Sequence, residues 1–444
     1  MRKRWTLLLI AAAMVFSFSG CLSGTAEELY CLPALSDEYM SLQKQVDTML
    51  QAGTSYSAPV SGNNRQSIQL QDVDGDGTNE ALVFVENPET EKRLRVCIFD
   101  DYQDTYSLSC TIEGDGARFE SVSYSDMDGD GISELIVGWQ MSAELKLLTA
   151  YSIKDYQPTN LLSTDYSEYT MTDLTRDGNE DLVVVRMAAT ERSGEVEMYS
   201  LMQDGELVSA GTKLSAGVES LSRLRVSGLQ DGTPAVYFES VINSTNLVTD
   251  IVVYRNDKLR NITVNANTGV SESTVRGSMT FSRDMNGDEV LEIPRPVQLP
   301  TQSESTSYWE MQWYDYSIGG RGIPVLSTFH NTTDGWYFVL PEEWEGKIAV
   351  RREEGANRER SIVFSRYDER KDSIGEDILS ISALSGNQAE AMSRENGRFF
   401  LMKEDDIVFA ARILSGSSQF SLTETLVRTN FHIIYSEWIS GDAK

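Results

Sequence analysis

The sequence predicts a mainly β chain: a β-propeller with Asp-rich calcium loops, followed by a small α+β C-terminal domain. Five blades is the favoured count, and six or seven is the alternative. Three observations predict this. A nine-residue acidic loop recurs four times, starting at Asp72, Asp126, Asp173 and Asp284. Each copy runs straight into a short apolar stretch, such as Ala81 to Val85 or Leu182 to Val185. The loop starts are separated by 54, 47 and 111 residues, and the last interval is about twice the others. A degenerate copy fills the gap, where Asp231-Gly232 precedes Ala235 to Phe238. A repeat of about 50 residues with several short strands per unit is a propeller signature.

Residues 1–20 form a predicted export signal. Arg2, Lys3 and Arg4 precede a mostly apolar run from Leu7 to Phe18, the arrangement of a secretory leader. Phe18-Ser19-Gly20-Cys21 resembles the bacterial lipobox, although Phe18 stands where Leu is usual. That resemblance implies cleavage before Cys21 and a diacylglyceryl group on it. The chain would then be exported and lipid-anchored to the outer face of the cytoplasmic membrane. Residues 21–58 read as a tether and one helix. Ser36 can cap it, Tyr39, Leu42, Val46, Met49 and Leu50 follow helical spacing, and Gly53 can end it.

Residues 59–329 carry the loops. Oxygen side chains stand at positions 1, 3 and 5 and a carboxylate at position 9: Asp72, Asp74, Asp76 and Glu80; Asp126, Asp128, Asp130 and Glu134; Asp173, Asp177 and Asp181 around Thr175; Asp284, Asn286, Asp288 and Glu292. Alternating carboxylates on a tight turn converge on one point, and a backbone carbonyl near position 7 can add an oxygen. Calcium takes six to eight such ligands in flexible geometry. An EF-hand would place Glu at position 12 between helices, but Val83 and Val137 stand there, within strand-like runs. The first two loops, with four carboxylates each, are expected to bind most tightly. The third carries Arg176 beside the site, and the last has Glu289 where Gly is expected. Read singly, each loop is also an ordinary Asp/Gly turn.

Within the first unit, strands are expected at Ala81 to Val85, Leu94 to Phe99, Tyr106 to Ile112 and Phe119 to Tyr124. After the last loop only Glu292 to Pro294, Tyr308 to Tyr316 and Ile323 to Phe329 are expected. Ser67 to Gln71 is the candidate fourth strand, which would pair the two ends of the domain and leave no exposed edge. Cys97 and Cys110 fall on adjacent strands, either as a cross-strand disulfide or as two buried thiols, and Cys31 is left odd.

These loops resemble those of the FG-GAP/VCBS repeat class, which link propeller blades in integrin α-subunit heads, over about residues 65–329. The resemblance implies structural calcium at the loop residues named above, and none at the segment around Ser227. The whole chain is similar to VCBS-repeat lipoproteins of Gram-positive, Clostridia-like bacteria.

From about residue 330 the acidic loops stop. Strands are expected at Lys347 to Arg351, Ser361 to Ser365, Ile378 to Ala383, Phe399 to Met402 and Ile407 to Ile413. Ser421 with Glu424 reads as a capping box, and Val427, Phe431, Ile434 and Trp438 would give a final helix one apolar face. Residues 330–444 are a normal domain size.

Net charge is −30, which disfavours nucleic acid as a partner. The two histidines, His330 and His432, form no zinc motif. No Gly-x-Ser-x-Gly elbow or phosphate loop occurs, and Ser41 to Lys44 matches Ser-x-x-Lys without its companion motifs. Catalytic residues are therefore not assigned. The expected role is a non-catalytic, calcium-stabilised surface protein that binds an extracellular protein or glycan. The alternative is a glycoside hydrolase using channel carboxylates, a fold-level analogy only.

Overall fold

A computed structural model describes residues 37–51, 53–101, 105–188, 190–277, 280–301, 306–355 and 359–434. The predicted leader, Cys21, Cys31 and Trp438 lie outside these residues. No described helix is long and apolar enough to cross a membrane.

The described chain is mainly β. Helix α1 (Asp37–Gln51) leads, close to its expected bounds. The first sheet contains β1 (Ser55–Tyr56), β2 (Ile68–Gln71), β3 (Glu80–Glu86), β4 (Leu94–Asp101) and β5 (Tyr106–Gly114). β1 and β2 both pair with β3, which is followed by β4 and β5. The second sheet runs β6 (Arg118–Ser125), β7 (Glu134–Gln140), β8 (Lys146–Ser152), β9 (Thr159–Tyr166). The third runs β10 (Glu168–Thr172), β11 (Asp181–Ala188), β12 (Ser193–Leu201), β13 (Leu207–Lys213). The fourth runs β14 (Val218–Gly228), β15 (Pro234–Ile242), β16 (Asn246–Tyr254), β17 (Leu259–Asn261). Each of these three is an array of consecutive strands.

The fifth sheet takes β18 (Ile293–Leu299), β19 (Tyr308–Tyr316), β20 (Gly322–Asn331) and β21 (Trp336–Leu340) in order. The sixth contains β22 (Ile348–Glu354), β23 (Arg360–Asp368), β24 (Ser373–Ser385), β25 (Phe399–Glu404) and β26 (Ile407–Ile413), ordered β22-β23-β24-β26-β25. Helix α2 (Ala389–Met392) lies between β24 and β25 in the chain. Helix α3 (Glu424–Asn430) follows, and β27 (Phe431–Ile433) returns to pair with β21.

The chain divides into two compact units. One extends to Ser123 and takes in Val137–Ala143 and Tyr151–Asn160; the other comprises Tyr124–Ile136, Glu144–Ala150 and everything from Leu161. In the first unit, Leu42 and Val46 of α1 pack over Val83, Val85, Cys97 and Phe99. Phe84, on the opposite face of β3, meets Phe119 edge-on at 5.2 Å between centroids. β3 is thus covered on both sides, which explains its unbroken apolar run from Ala81 to Val85. Gly114 abuts the buried Trp139 so closely that a Cβ there would lie inside the indole. Gly114→Ala is expected to cost about 1–3 kcal/mol through overpacking, read as a lowered denaturation midpoint.

In the second unit, the third and fourth sheets share a core of Val183, Val185, Val196, Phe238 and Val252. The fourth and fifth meet through Tyr237, Ile251, Ile293 and Tyr316. The fifth and sixth share Phe329, Trp336, Phe338, Trp344, Phe364 and Phe409. Trp336 and Trp344 are core residues, as general burial tendencies predict.

Four expectations need correction. The expected blade began after its loop, but the strand before the loop belongs to the same sheet: Gln71 pairs with Glu80, Thr172 with Asp181, and Arg283 bridges Glu292. Each of these loops is therefore the connection of a hairpin. For the same reason Ser67 to Gln71 does not complete the last sheet; β2 pairs with β3, and β21 extends the last sheet beyond β20. The expected boundary at 329/330 cuts β20, and β21 and β27 continue the same sheet. The expected final helix ends at Asn430. Thr423, not Ser421, caps it by accepting from Leu426 N at 3.2 Å. Phe431 is then drawn into strand pairing with Phe338, which buries its ring.

Of the two cysteine alternatives, free thiols are found. Cys97 pairs with Thr111 and Cys110 with Ile98, so the two side chains leave opposite faces of the sheet. No disulfide can join them without a change of register.

Candidate metal centres

The hairpin register puts the position-9 carboxylate directly beneath the start of its own loop. In the first loop Glu80 is fully buried, and its Oε2 accepts from Val73 N at 2.7 Å. Asp72 organises the turn from above: its Oδ1 accepts from Gly75 N at 2.7 Å and its Oδ2 from Gly77 N at 3.0 Å. Asp76 accepts from Thr78 N at 2.7 Å. Gly77 sits at φ +89°, a conformation that costs glycine little.

The second loop repeats this. Asp126 accepts from Gly129 N at 2.8 Å and from Gly131 N at 2.9 Å, and Glu134 accepts from Met127 N at 2.9 Å. The fourth loop does the same with Asp284, Gly287 N (2.6 Å), Glu289 N (2.9 Å), and Glu292 under Met285 N (2.7 Å). Glu289 takes the left-handed φ of +69° where the earlier copies have glycine. Asn286 Nδ2 donates to Asp288 Oδ2 at 2.9 Å.

Among the described residues, three groups bring carboxylate oxygens within 4.8 Å of one another: Asp72, Asp74 and Glu80; Asp126, Asp128 and Glu134; Asp284, Asp288 and Glu292. Asp76 and Asp130 stand in the same turns without joining these groups. Asp173, Asp177 and Asp181 are not brought together in this way. The reason is local. Asp181 is one carbon shorter than Glu, accepts from both Leu174 N and Thr175 N, and receives the Ser200 hydroxyl on its other oxygen. Arg176 turns aside to donate to Gly232 O.

The three remaining groups fit a cation. Oε1 of Glu80 and Oε1 of Glu292 are buried without a hydrogen-bond partner, a costly condition for a carboxylate. Burial pushes the Glu80 carboxyl up to about 7, and Asp74, Asp72 and Asp76 add repulsion. Burial likewise pushes Glu292 up to about 8, with Asp315, Asp288 and Asp284 adding to it. A bound cation would answer both the orphaned oxygens and the repulsion. The all-oxygen donor set is that of a hard divalent ion.

Sequence reasoning missed two neighbours. Tyr156, at φ +53°, hydrogen-bonds Asp74 and Asp100, and burial with these carboxylates holds its phenol well above the usual range. Asp315 on β19 is 2% exposed and lies beside the fourth loop, where burial and then Asp288 and Asp284 raise its carboxyl to about 6. No local pattern marks Asp315, since its strand, Tyr308–Tyr316, carries another acid, Glu310, as well.

No family model matches this chain, and no curated protein matches it. Among solved structures, a Bacteroides fragilis chain provisionally assigned as a 6-phosphogluconolactonase aligns at 11% identity, over 73% of this chain and 94% of its own, with a TM-score of 0.26. A hypothetical selenium-binding protein from Sulfolobus tokodaii aligns at 10% identity, over 70% and 88%, with a TM-score of 0.26. AofleA from Arthrobotrys oligospora aligns at 8% identity, over 74% and 90%, with a TM-score of 0.24. Scores of this size carry no argument about fold or activity. None of the three names connects with FG-GAP repeats.

Proposed function

We propose that this protein is a calcium-stabilised β-propeller of the FG-GAP/VCBS kind that presents a binding or scaffold surface to an extracellular protein or glycan. In this reading the successive sheets are blades, with the loop-free β22–β26 sheet added to the five that the repeat spacing favoured. Cys21 carries the lipid that ties the chain to the outer face of the cytoplasmic membrane.

The observation that carries the reading is the threefold recurrence of one construction. A buried position-9 carboxylate, held by a backbone N–H across a hairpin, stands under two aspartates from the turn. Ordinary Asp/Gly turns do not need a buried ninth carboxylate. Asp72, Asp74 and Glu80, Asp126, Asp128 and Glu134, and Asp284, Asp288 and Glu292 would hold the ions, with backbone carbonyls and water completing six to eight oxygens. The ions would fix the hairpins and neutralise part of the chain's −30 charge.

Calorimetric titration of the chelator-treated protein with calcium tests this. One ion is expected for each of the three gathered groups, with Asp173→Asn leaving the count unchanged. Absence of any bound ion would reduce the loops to turns and remove the basis for the propeller assignment.

A further inference from the structure

We propose that Asp315 is an additional ligand of the ion held by the fourth loop, supplying the carboxylate that Asn286 does not. The inference rests on the metal reading above and deepens it.

The argument starts from strand register. Ile293 pairs with Tyr314, so Asp315 stands across from Glu292, one step further along the same ladder. Residues opposite one another on antiparallel strands share a face, with Cβ atoms ~5 Å apart. Asp315 is 2% exposed, and its Oδ1 is buried without a hydrogen-bond partner. A carboxylate in that condition is kept at a cost, and its neighbours here are Asp284 and Asp288. Two orphaned oxygens, Oε1 of Glu292 and Oδ1 of Asp315, thus belong to residues facing each other beside the loop.

The same ladder position has meaning in other sheets. In the first sheet Ala81 pairs with Phe99, so Asp100 stands across from Glu80. Asp100 reaches that loop by sharing the Tyr156 hydroxyl with Asp74. In the third sheet Leu182 pairs with Tyr199, so Ser200 stands across from Asp181 and donates to it. The position opposite the ninth loop residue is therefore acidic beside two gathered carboxylate groups and a neutral donor beside the loop that gathers none. The fourth loop, poorest in turn carboxylates among the three gathered groups, has the more buried of these two acids.

Asp315→Asn, which keeps the shape, and Glu292→Gln are compared with the unaltered full chain. Calcium is titrated by calorimetry, and terbium lifetimes in H2O and D2O count the water molecules on the bound ions. Asp315→Asn is expected to weaken one of the three ions about 10-fold or more, since ligand charge sets affinity in such sites, and to add about one coordinated water. Its melting temperature in EDTA should be unchanged or higher, because a buried repulsion is removed. Unchanged affinity and water count, with Glu292→Gln still deleting an ion, would overturn the role of Asp315 alone. An equal loss of stability with and without calcium would make Asp315 structural and also overturn it. If Glu292→Gln deletes no ion, the fourth loop itself is not a site, and both readings of it fail.

Discussion

Chelation with EDTA is expected to lower the melting temperature by on the order of 10 °C, with full recovery on adding calcium. Sites of the extracellular kind bind with constants of order 10⁻⁴ M. At about 10 mM calcium that is roughly a hundredfold excess, worth ~2.7 kcal/mol per site by linkage. Three such sites contribute about 8 kcal/mol, and a kilocalorie shifts melting by ~2 °C or somewhat less in a chain this long. The effect should reach both compact units, since the first holds Asp72, Asp74 and Glu80 and the second holds the other two groups. Magnesium should restore less, because it demands stricter octahedral geometry and gives up water reluctantly. A shift below about 2 °C, less than one such site should give, would separate the loops from stability.

Replacing Arg276 by Met is expected to destabilise the second unit by about 3–5 kcal/mol, the range for breaking a buried ion pair by removing one partner. Arg276 and Glu239 are both essentially inaccessible, and Arg276 Nη2 meets Glu239 Oε1 at 2.7 Å. The guanidinium also donates to Thr280 O at 2.7 Å, Thr249 Oγ1 at 2.9 Å and Thr274 O at 3.0 Å. Glu239 further accepts from Ser282 N at 2.7 Å. The substitution would leave the carboxylate with Ser282 N and, as a cation among the described residues, Arg223 3.7 Å away. Adding Glu239→Gln should recover part of the loss, because the uncompensated charge goes with it. Urea unfolding of both variants checks this; a double variant as unstable as the sum of its parts would locate the cost in packing.

The acidic loops were legible because their chemistry is local. Positions 1, 3, 5 and 9 lie within nine residues, so residue types mark the candidate loops, but the departures flagged in the third and last loops did not separate them: the last still gathers Asp284, Asp288 and Glu292, while the third does not. The apolar runs after the first three loops were legible because β3 as far as Val85, β7 and the first five residues of β11 are buried, whereas β18 after the fourth loop is buried only at Ile293, Pro294 and Leu299. What was hidden depends on partners distant in sequence. That β2 belongs with β3 follows from hairpin register, which spacing does not reveal. The identity of Phe431 to Ile433 as strand was masked by an apolar helical pattern, and the decision was made by Trp336 to Phe338 on the far side of a whole sheet. Asp315 was invisible for the same reason: its meaning lies in facing Glu292.

The pairing of β21 with β27 also sets an order of assembly. The first four sheets are built from neighbouring stretches of chain, so each can form as soon as its own residues are available. The fifth sheet can form its first four strands in this way, yet β21 must wait at its edge while the residues of the sixth sheet are made. Only when Phe431 to Ile433 arrive is that edge covered. Until then a nascent chain carries an exposed row of backbone donors and acceptors along Trp336 to Phe338, the kind of edge that invites pairing with another molecule. The strand of three residues that covers it, Phe431 to Ile433, acts as a latch on that edge.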